Sequence, residues 1–245
     1  MPGRPLWQLV KKELRLQQLT FALTAWYLVT AWPTATLLRV LGLGDEAASA
    51  GAAIYWLCLP VLAGSLASAE ERRLGTLSWQ FQLPPAARQQ WAVKVATVFG
   101  VALLVSMVGP LLLAELLWPA ARPAGGTAVV LVVLVVVLTA VSLYISSLSA
   151  SGLRAAVVSL TVVPAIVWLV ARWALLLSRT PTPAFWSGRG GGWIGLLSLV
   201  VVLLVWLAFL NHRPERPVAS LIRRQTLGLA ALAAVGIVVL EFLRF

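Results

Sequence analysis

The chain has 245 residues, of which 60% are hydrophobic and 11% are charged, whereas about a quarter of the residues in a soluble globular domain are charged. The composition therefore excludes an ordinary soluble domain. The net charge of +11 would favour nucleic-acid binding in a soluble protein, but the basic residues lie beside apolar runs, where membrane orientation and anionic lipid headgroups account for them. The single cysteine, Cys58, excludes an intrachain disulfide.

Residues 1–18 predict an amphipathic helix at the membrane surface. Apolar residues recur there at helical spacing and basic residues occupy the other side: Leu6, Leu9, Val10 and Leu14 against Lys11, Lys12 and Arg15. A basic leader that only orients the first span is the alternative. A cleaved secretory signal is disfavoured, because the apolar run from Leu19 is longer than the core of such a signal.

Seven apolar runs follow, each close to the ~20 residues that a helix needs to cross ~30 Å of hydrocarbon. They are Leu19–Leu41, Gly51–Ala69, Val95–Leu117, Thr127–Ser149, Ala155–Leu177, Trp193–Leu210 and Thr226–Leu243. Backbone groups in lipid must be satisfied within a segment, and no alternating barrel pattern occurs. The sequence therefore predicts an all-α integral membrane protein. A cytosolic N-terminus places most Lys and Arg residues inside, as the positive-inside rule requires.

A polar stretch, Glu70–Lys94, separates the second and third apolar runs on this cytosolic side. It opens with Glu70-Glu71-Arg72-Arg73, which would continue the second span beyond the membrane and offer charge pairing, and it reaches Pro84-Pro85 through a half-apolar segment. Thr76 can cap a new helix after the flexible Gly75. Apolar contacts would come from Leu77, Trp79, Phe81 and Leu83. This pattern predicts a helical docking surface outside the bilayer, and a solvated interhelical turn is the alternative.

Three landmarks resemble those of ABC-2-type transporter permeases, the membrane subunits of many bacterial ABC exporters. They are Lys11-Lys12-Glu13-Leu14-Arg15 before the first span, Glu70–Leu77 at the end of the second, and Leu83-Pro84 with Arg88 to Lys94 before the third. The resemblance implies an N-terminal interfacial helix, a six-helix permease core in residues 19–210, and a coupling helix in the cytosolic loop 70–94. Thr76–Leu83 matches that coupling helix.

The resemblance also implies functional residues and partners. Residues implicated in coupling to an ATPase are Glu70, Glu71, Arg72, Arg73, Gly75, Thr76, Leu77, Trp79, Phe81, Leu83, Pro84 and Arg88. The expected location is the bacterial plasma membrane, with several spans and a cytosolic N-terminus. Expected partners are cytosolic ABC ATPase subunits, a second permease that is identical or related, and membrane lipids, with no nucleic acid.

Two features depart from the family pattern. Residues 211–245 form a basic cytosolic connection and an extra span, so that seven candidate spans stand where the family core has six. Pro84-Pro85-Ala86-Ala87 stands where small or hydroxylated residues often follow a single proline. The seventh run is then a family variation, a helix that packs on a partner, or a sign that one of the other runs does not span.

No catalytic or nucleotide-binding motif occurs in the chain. We therefore expect a non-catalytic subunit without a cofactor of its own, whose partner ATPases bind ATP and Mg²⁺. Glu115 and Glu241 lie at membrane depth, where ionisable side chains are costly. They are candidates for the substrate pathway or its gate, and for Glu115 interfacial anchoring is an equal alternative.

The resemblance thus implies a permease subunit of an ATP-driven exporter. Two other classes compete with it. A non-transporting membrane scaffold or assembly factor is favoured by the scarcity of polar residues within the spans. An ion-coupled carrier is disfavoured, because few acidic residues lie mid-membrane.

Overall fold

The computed structural model describes residues 4–42, 45–73, 86–108, 125–162, 191–212 and Gln225. Within these ranges the chain is helical apart from short turns, and no strand occurs in them. The prediction of an all-α protein is confirmed.

Seven α-helices lie in the described ranges. They are α1 (Arg4–Leu16), α2 (Gln18–Val40), α3 (Asp45–Arg73), α4 (Ala87–Leu103), α5 (Gly125–Leu148), α6 (described over Gly152–Val162) and α7 (Gly191–Asn211). A π-helical stretch, Leu104–Val108, continues α4. Only Gln17 separates α1 from α2, and its N–H bonds to the carbonyls of Glu13 and Leu14.

The helices on either side of residues 74–85, which lie outside the described part of the chain, extend beyond the predicted apolar runs. Helix α3 continues past Ala69 to Arg73, as expected for a second span that extends beyond the membrane, whereas α4 begins at Ala87, well before the predicted start at Val95. The reason is visible at Lys94, which is polar but buried inside the helix bundle. Its side chain finds partners within the protein, so α4 can begin well before it.

Successive helices run in alternating directions. Gln17 contacts Ala63 and Tyr27 stacks on Tyr55, so α2 and α3 are antiparallel. Lys94 contacts Ala67 near one end of α3, while Tyr55 donates a hydrogen bond to the Val105 carbonyl near the other, so α3 and α4 are antiparallel too.

Helices α3 and α5 run parallel to each other at very short range. Ser142 Oγ lies near the Pro60 carbonyl, and Ser146 Oγ donates to the Ser65 carbonyl at 2.7 Å. A Cβ atom at Gly64 would lie only 2.0 Å from Ser142 Oγ. Small residues therefore allow the two backbones to approach, and serine hydroxyls bond across the contact, as is common between helices in lipid.

Two of the described helical stretches are both long and apolar enough to cross a membrane, Ala87–Met107 and Leu131–Leu148. Large apolar side chains also cover outward faces, among them Val29 and Val202, with 74% and 65% of their surface exposed. The predicted seventh span lies outside the described residues, so the choice between six and seven spans stays open.

Candidate functional site

A buried cluster of four charged side chains joins α1, α3 and α4. Lys12 and Glu13 come from α1, and Glu71 comes from the last turn of α3. Lys94 lies about two turns after the start of α4. We call these four residues the charge cluster. Glu13, Glu71 and Lys94 are each at most 4% exposed, and Lys12 is partly exposed.

Helical spacing places these side chains on inward faces. Leu9, Glu13 and Gln17 follow one another at intervals of four residues and all are buried, because residues four apart share one face of a helix. In α4 the buried residues Trp91, Lys94 and Val98 form a similar seam. Lys94 therefore occupies a position that an apolar residue would ordinarily fill.

Glu71 lies at the centre of the cluster, between the two lysines. Lys12 Nζ donates a hydrogen bond to Glu71 Oε1 at 2.5 Å, and Lys94 Nζ donates to Glu71 Oε2. Lys94 Nζ also donates to the Ala67 carbonyl at 2.9 Å. Burial alone would raise the pKa of Glu71, but Lys94 and Lys12 together hold that pKa below its ordinary value.

Glu13 interacts more weakly with the two lysines than Glu71 does. Its Oε1 lies 3.9 Å from the Nζ atoms of both Lys12 and Lys94, beyond hydrogen-bond distance. Burial raises the pKa of Glu13 to about 7, because the attraction of Lys94 offsets only part of the lost hydration and the Glu71 carboxylate opposes a second negative charge. The cluster thus holds one firmly ionised carboxylate and one that can gain a proton near neutral pH.

Neighbouring polar contacts extend the cluster into the bundle. Gln17 Nε2 donates to the Ala63 carbonyl at 2.9 Å, and Thr20 Oγ1 donates to Gln17 Oε1 at 2.9 Å. These bonds fix the junction of α1 and α2 against α3. A buried polar network of this kind specifies one arrangement of helices when its members are paired.

A second polar group lies at the same end of the bundle. Asn211 Nδ2, at the end of α7, donates to Ser147 Oγ at 3.0 Å and to Gln225 Oε1 at 3.0 Å. The rings of Trp91 and His212 lie 5.1 Å apart. The ends of α3, α5 and α7 and the start of α4 therefore meet at one polar end of the bundle.

The sequence-predicted site residues divide into three groups. Glu71 lies in the charge cluster, and Arg88 lies exposed in the first turn of α4. Glu70, Arg72 and Arg73 lie in the last turn of α3, where only their backbone is described. Outside the described residues lie Gly75, Thr76, Leu77, Trp79, Phe81, Leu83, Pro84, Glu115 and Glu241.

Sequence reasoning did not assign Lys12, Glu13 and Lys94 to a common site. A signal for Lys94 was present in the chain, because the spacing of Trp91, Lys94 and Val98 is that of a buried helical seam. A lysine in such a seam requires an anionic partner. The identity of that partner could not be read from one sequence, because Glu13 and Glu71 come from distant parts of the chain.

The chemistry of the cluster is electrostatic. Two lysines surround its carboxylates, so it is poorly suited to hold a cation, and the described residues contain no group of three or more His, Cys, Asp or Glu side chains placed for a metal ion. What the cluster can do is hold three helices together and respond to protonation.

No model of a known protein family, no curated protein and no solved structure matches this chain. The function therefore has to be argued from the residues and their geometry.

Proposed function

We propose that the chain is the membrane-spanning permease subunit of an ATP-driven ABC exporter of the bacterial plasma membrane. In this proposal it forms a substrate pathway with a second permease, identical or related. Its cytosolic segment 70–94, whose two ends belong to α3 and α4, receives ATPase subunits, which bind ATP and Mg²⁺. The chain itself catalyses no reaction.

One observation carries the proposal: the charge cluster unites all three landmarks of the resemblance. Lys12 and Glu13 come from the landmark before the first span, Glu71 from the one after the second, and Lys94 from the one before the third. These residues are spread over more than eighty positions of the chain, and the three landmarks contribute all four of them. Their convergence supports a shared structural role.

The position of the cluster suits a coupling device. The proposed coupling loop joins α3 to α4, and ion pairs tie the end of α3 and the start of α4 to each other and to α1. Breaking a buried ion pair by removing one partner costs about 3–5 kcal/mol. A movement of the loop would therefore displace the three helix ends together, because the ion pairs prevent each end from moving separately.

The remaining described surface is compatible with transport of amphipathic cargo. The large apolar side chains on the outward faces of the described helices suit lipid-like molecules, peptides or drugs more than ions.

Co-purification tests the proposal. The tagged full-length chain, isolated from its native membrane in mild detergent, should bring down an ABC ATPase subunit identified by mass spectrometry. Trp79→Ala and Phe81→Ala should each reduce the recovered ATPase, because truncating a buried interface aromatic can cost ~2 kcal/mol or more. Trp26→Ala is the matched control, since Trp26 is 65% exposed on α2, far along the chain from the loop.

The outcome also separates the competing classes. A scaffold or an ion-coupled carrier would co-purify without an ABC ATPase, and that result contradicts the proposal. Equal recovery of the ATPase with wild-type, Trp79→Ala and Phe81→Ala protein would support the permease assignment. It would contradict the assignment of the coupling helix.

A further inference from the structure

An open groove of about 670 Å³ lies between α4 and α7, apart from the charge cluster. Its walls include Val95 and Phe99 of α4 and Val202, Val205 and Phe209 of α7. The only charged side chain among its described lining residues is Arg88, at the polar end of the bundle. The groove is therefore apolar along its length and cationic at one end.

The dimensions of the groove match one leaflet of a bilayer. Arg88 and Phe99 are eleven residues apart on α4, which corresponds to about 16 Å at 1.5 Å per residue. One leaflet contributes about 15 Å to the hydrocarbon core. Trp91 and Trp206 also line the groove, and amphipathic indole rings favour the membrane interface.

The cationic end is available to an anion. Arg88 is exposed and forms no ion pair with any other residue in the described ranges. It lies in the first turn of α4, which contains no acidic residue, and Ala86 supplies no side-chain cap there. The partial positive charge of the helix N-terminus therefore adds to the guanidinium. Arginine binds phosphate oxygens in a bidentate manner.

We propose that this groove binds an anionic phospholipid of the cytosolic leaflet, with one acyl chain between α4 and α7 and the phosphate at Arg88. Charge complementarity selects the anionic headgroup, and the apolar walls select the chain. The inference uses the membrane placement given under the proposed function but does not depend on ATP or on an ATPase.

Photo-crosslinking tests this site. The full chain is reconstituted in phosphatidylcholine vesicles that contain a small fraction of either phosphatidylglycerol or phosphatidylcholine with a diazirine on one acyl chain. After irradiation, mass spectrometry maps the labelled peptides. We expect phosphatidylglycerol to label α4 and α7 about fivefold more than phosphatidylcholine does, the preference that one basic residue gives near an anionic surface.

Two pairs of variants make the test specific. Arg88→Gln should abolish the preference for phosphatidylglycerol, whereas Arg154→Gln should keep it, because Arg154 is also exposed, near the start of α6, but does not line the groove. Val202→Trp should fill the groove and reduce labelling by both lipids. Leu199→Trp is its control, since Leu199 is 66% exposed on the same helix and is not a lining residue.

Three results would overturn the proposal: equal labelling by the two lipids, an Arg88→Gln protein with the wild-type preference, or labelling of wild-type protein that avoids α4 and α7. The last result is expected if a protein segment covers the groove. Because no ATPase is present, failure here leaves the permease proposal untouched, and loss of ATPase co-purification leaves this site untouched.

Discussion

Lys94 has the largest side chain among the described residues that are fully buried. An ammonium group in such a place is tolerated only when anionic and carbonyl oxygens replace its hydration. Glu71 and the Ala67 carbonyl do so directly, and Glu13 contributes from 3.9 Å. The two carboxylates are therefore unequal, and substitutions should distinguish them.

Glu71→Gln should destabilise the protein strongly. It removes the carboxylate that binds both lysines and leaves Lys94 buried without a close anion, a change that typically costs about 3–5 kcal/mol. The midpoint of thermal unfolding in detergent at pH 7 measures the effect. Adding Lys94→Met to this variant should recover part of the loss, because the uncompensated charge is then gone. A Glu71→Gln protein as stable as wild type would show that the cluster is not a stabilising element.

Glu13→Gln should change how stability depends on pH. The folded-state pKa of Glu13 is about 7, against an ordinary value of 4.5, so between these values the folded state binds more protons than the unfolded state. The free energy of unfolding attributable to Glu13 therefore falls as pH rises from about 4.5 to 7. Glu71, with its lowered pKa, acts in the opposite sense and at more acidic pH.

The measurement is the unfolding midpoint from pH 5 to 8. Glu13→Gln should remove the fall in stability between pH 5 and pH 7. At pH 8 this variant should be more stable than wild type by up to about 3 kcal/mol. Glu13→Asp, which stays ionisable, should still lose stability as the pH rises over this range. A wild-type midpoint that rises steadily over this pH range, with Glu13→Gln less stable at pH 8, would contradict the assignment.

At the scale of helices, much of the architecture was readable from the sequence. The described bounds of α2 and α7 follow the predicted runs Leu19–Leu41 and Trp193–Leu210 closely, because long apolar stretches leave few alternatives to a helix. The start of α4 was not predicted. Polarity indicated a loop there, but tertiary partners of Lys94 allow the helix to begin at Ala87.

The candidate site was only partly readable for the same physical reason. The importance of the Glu70–Arg73 and Lys94 region follows from its polarity between apolar runs. Its pairing with Lys12 and Glu13 depends on how α1 packs against α3 and α4, a long-range arrangement that residue spacing within one helix does not determine. The burial of Glu13 likewise depends on that packing.

The contact between α3 and α5 provides a test at this scale. Gly64→Ala would place a methyl group 2.0 Å from Ser142 Oγ and 2.7 Å from the Thr139 carbonyl, so we expect a loss of about 1–3 kcal/mol from overpacking. Gly100→Ala is the control, because a Cβ atom there has no neighbour within 4 Å. It should be neutral or stabilising by up to about 1 kcal/mol, since alanine favours a helix more than glycine does. Similar unfolding midpoints for the two variants would contradict the close contact.

For the whole molecule, the proposed topology places the polar end of the bundle in the cytosol. In a Cys58-free variant, a cysteine at Gln82 should resist an impermeant thiol reagent added to intact cells and react after the membrane is opened. A cysteine at Ala47 should react from outside. The reason is the excess of Lys and Arg beside the loop that contains Gln82. Labelling of Gln82→Cys in intact cells would show that the orientation is the opposite of the one proposed.

The central claim is that the charge cluster and the adjacent loop couple this membrane subunit to an ATPase. The most direct measurement is the rate of ATP hydrolysis by the ATPase subunit reconstituted in vesicles with the full chain, compared with the ATPase alone. We predict that wild-type chain changes this rate, that Trp79→Ala with Phe81→Ala abolishes the change, and that Trp26→Ala preserves it. If wild-type chain leaves the hydrolysis rate the same as that of the ATPase alone, the protein is not the coupled permease proposed here.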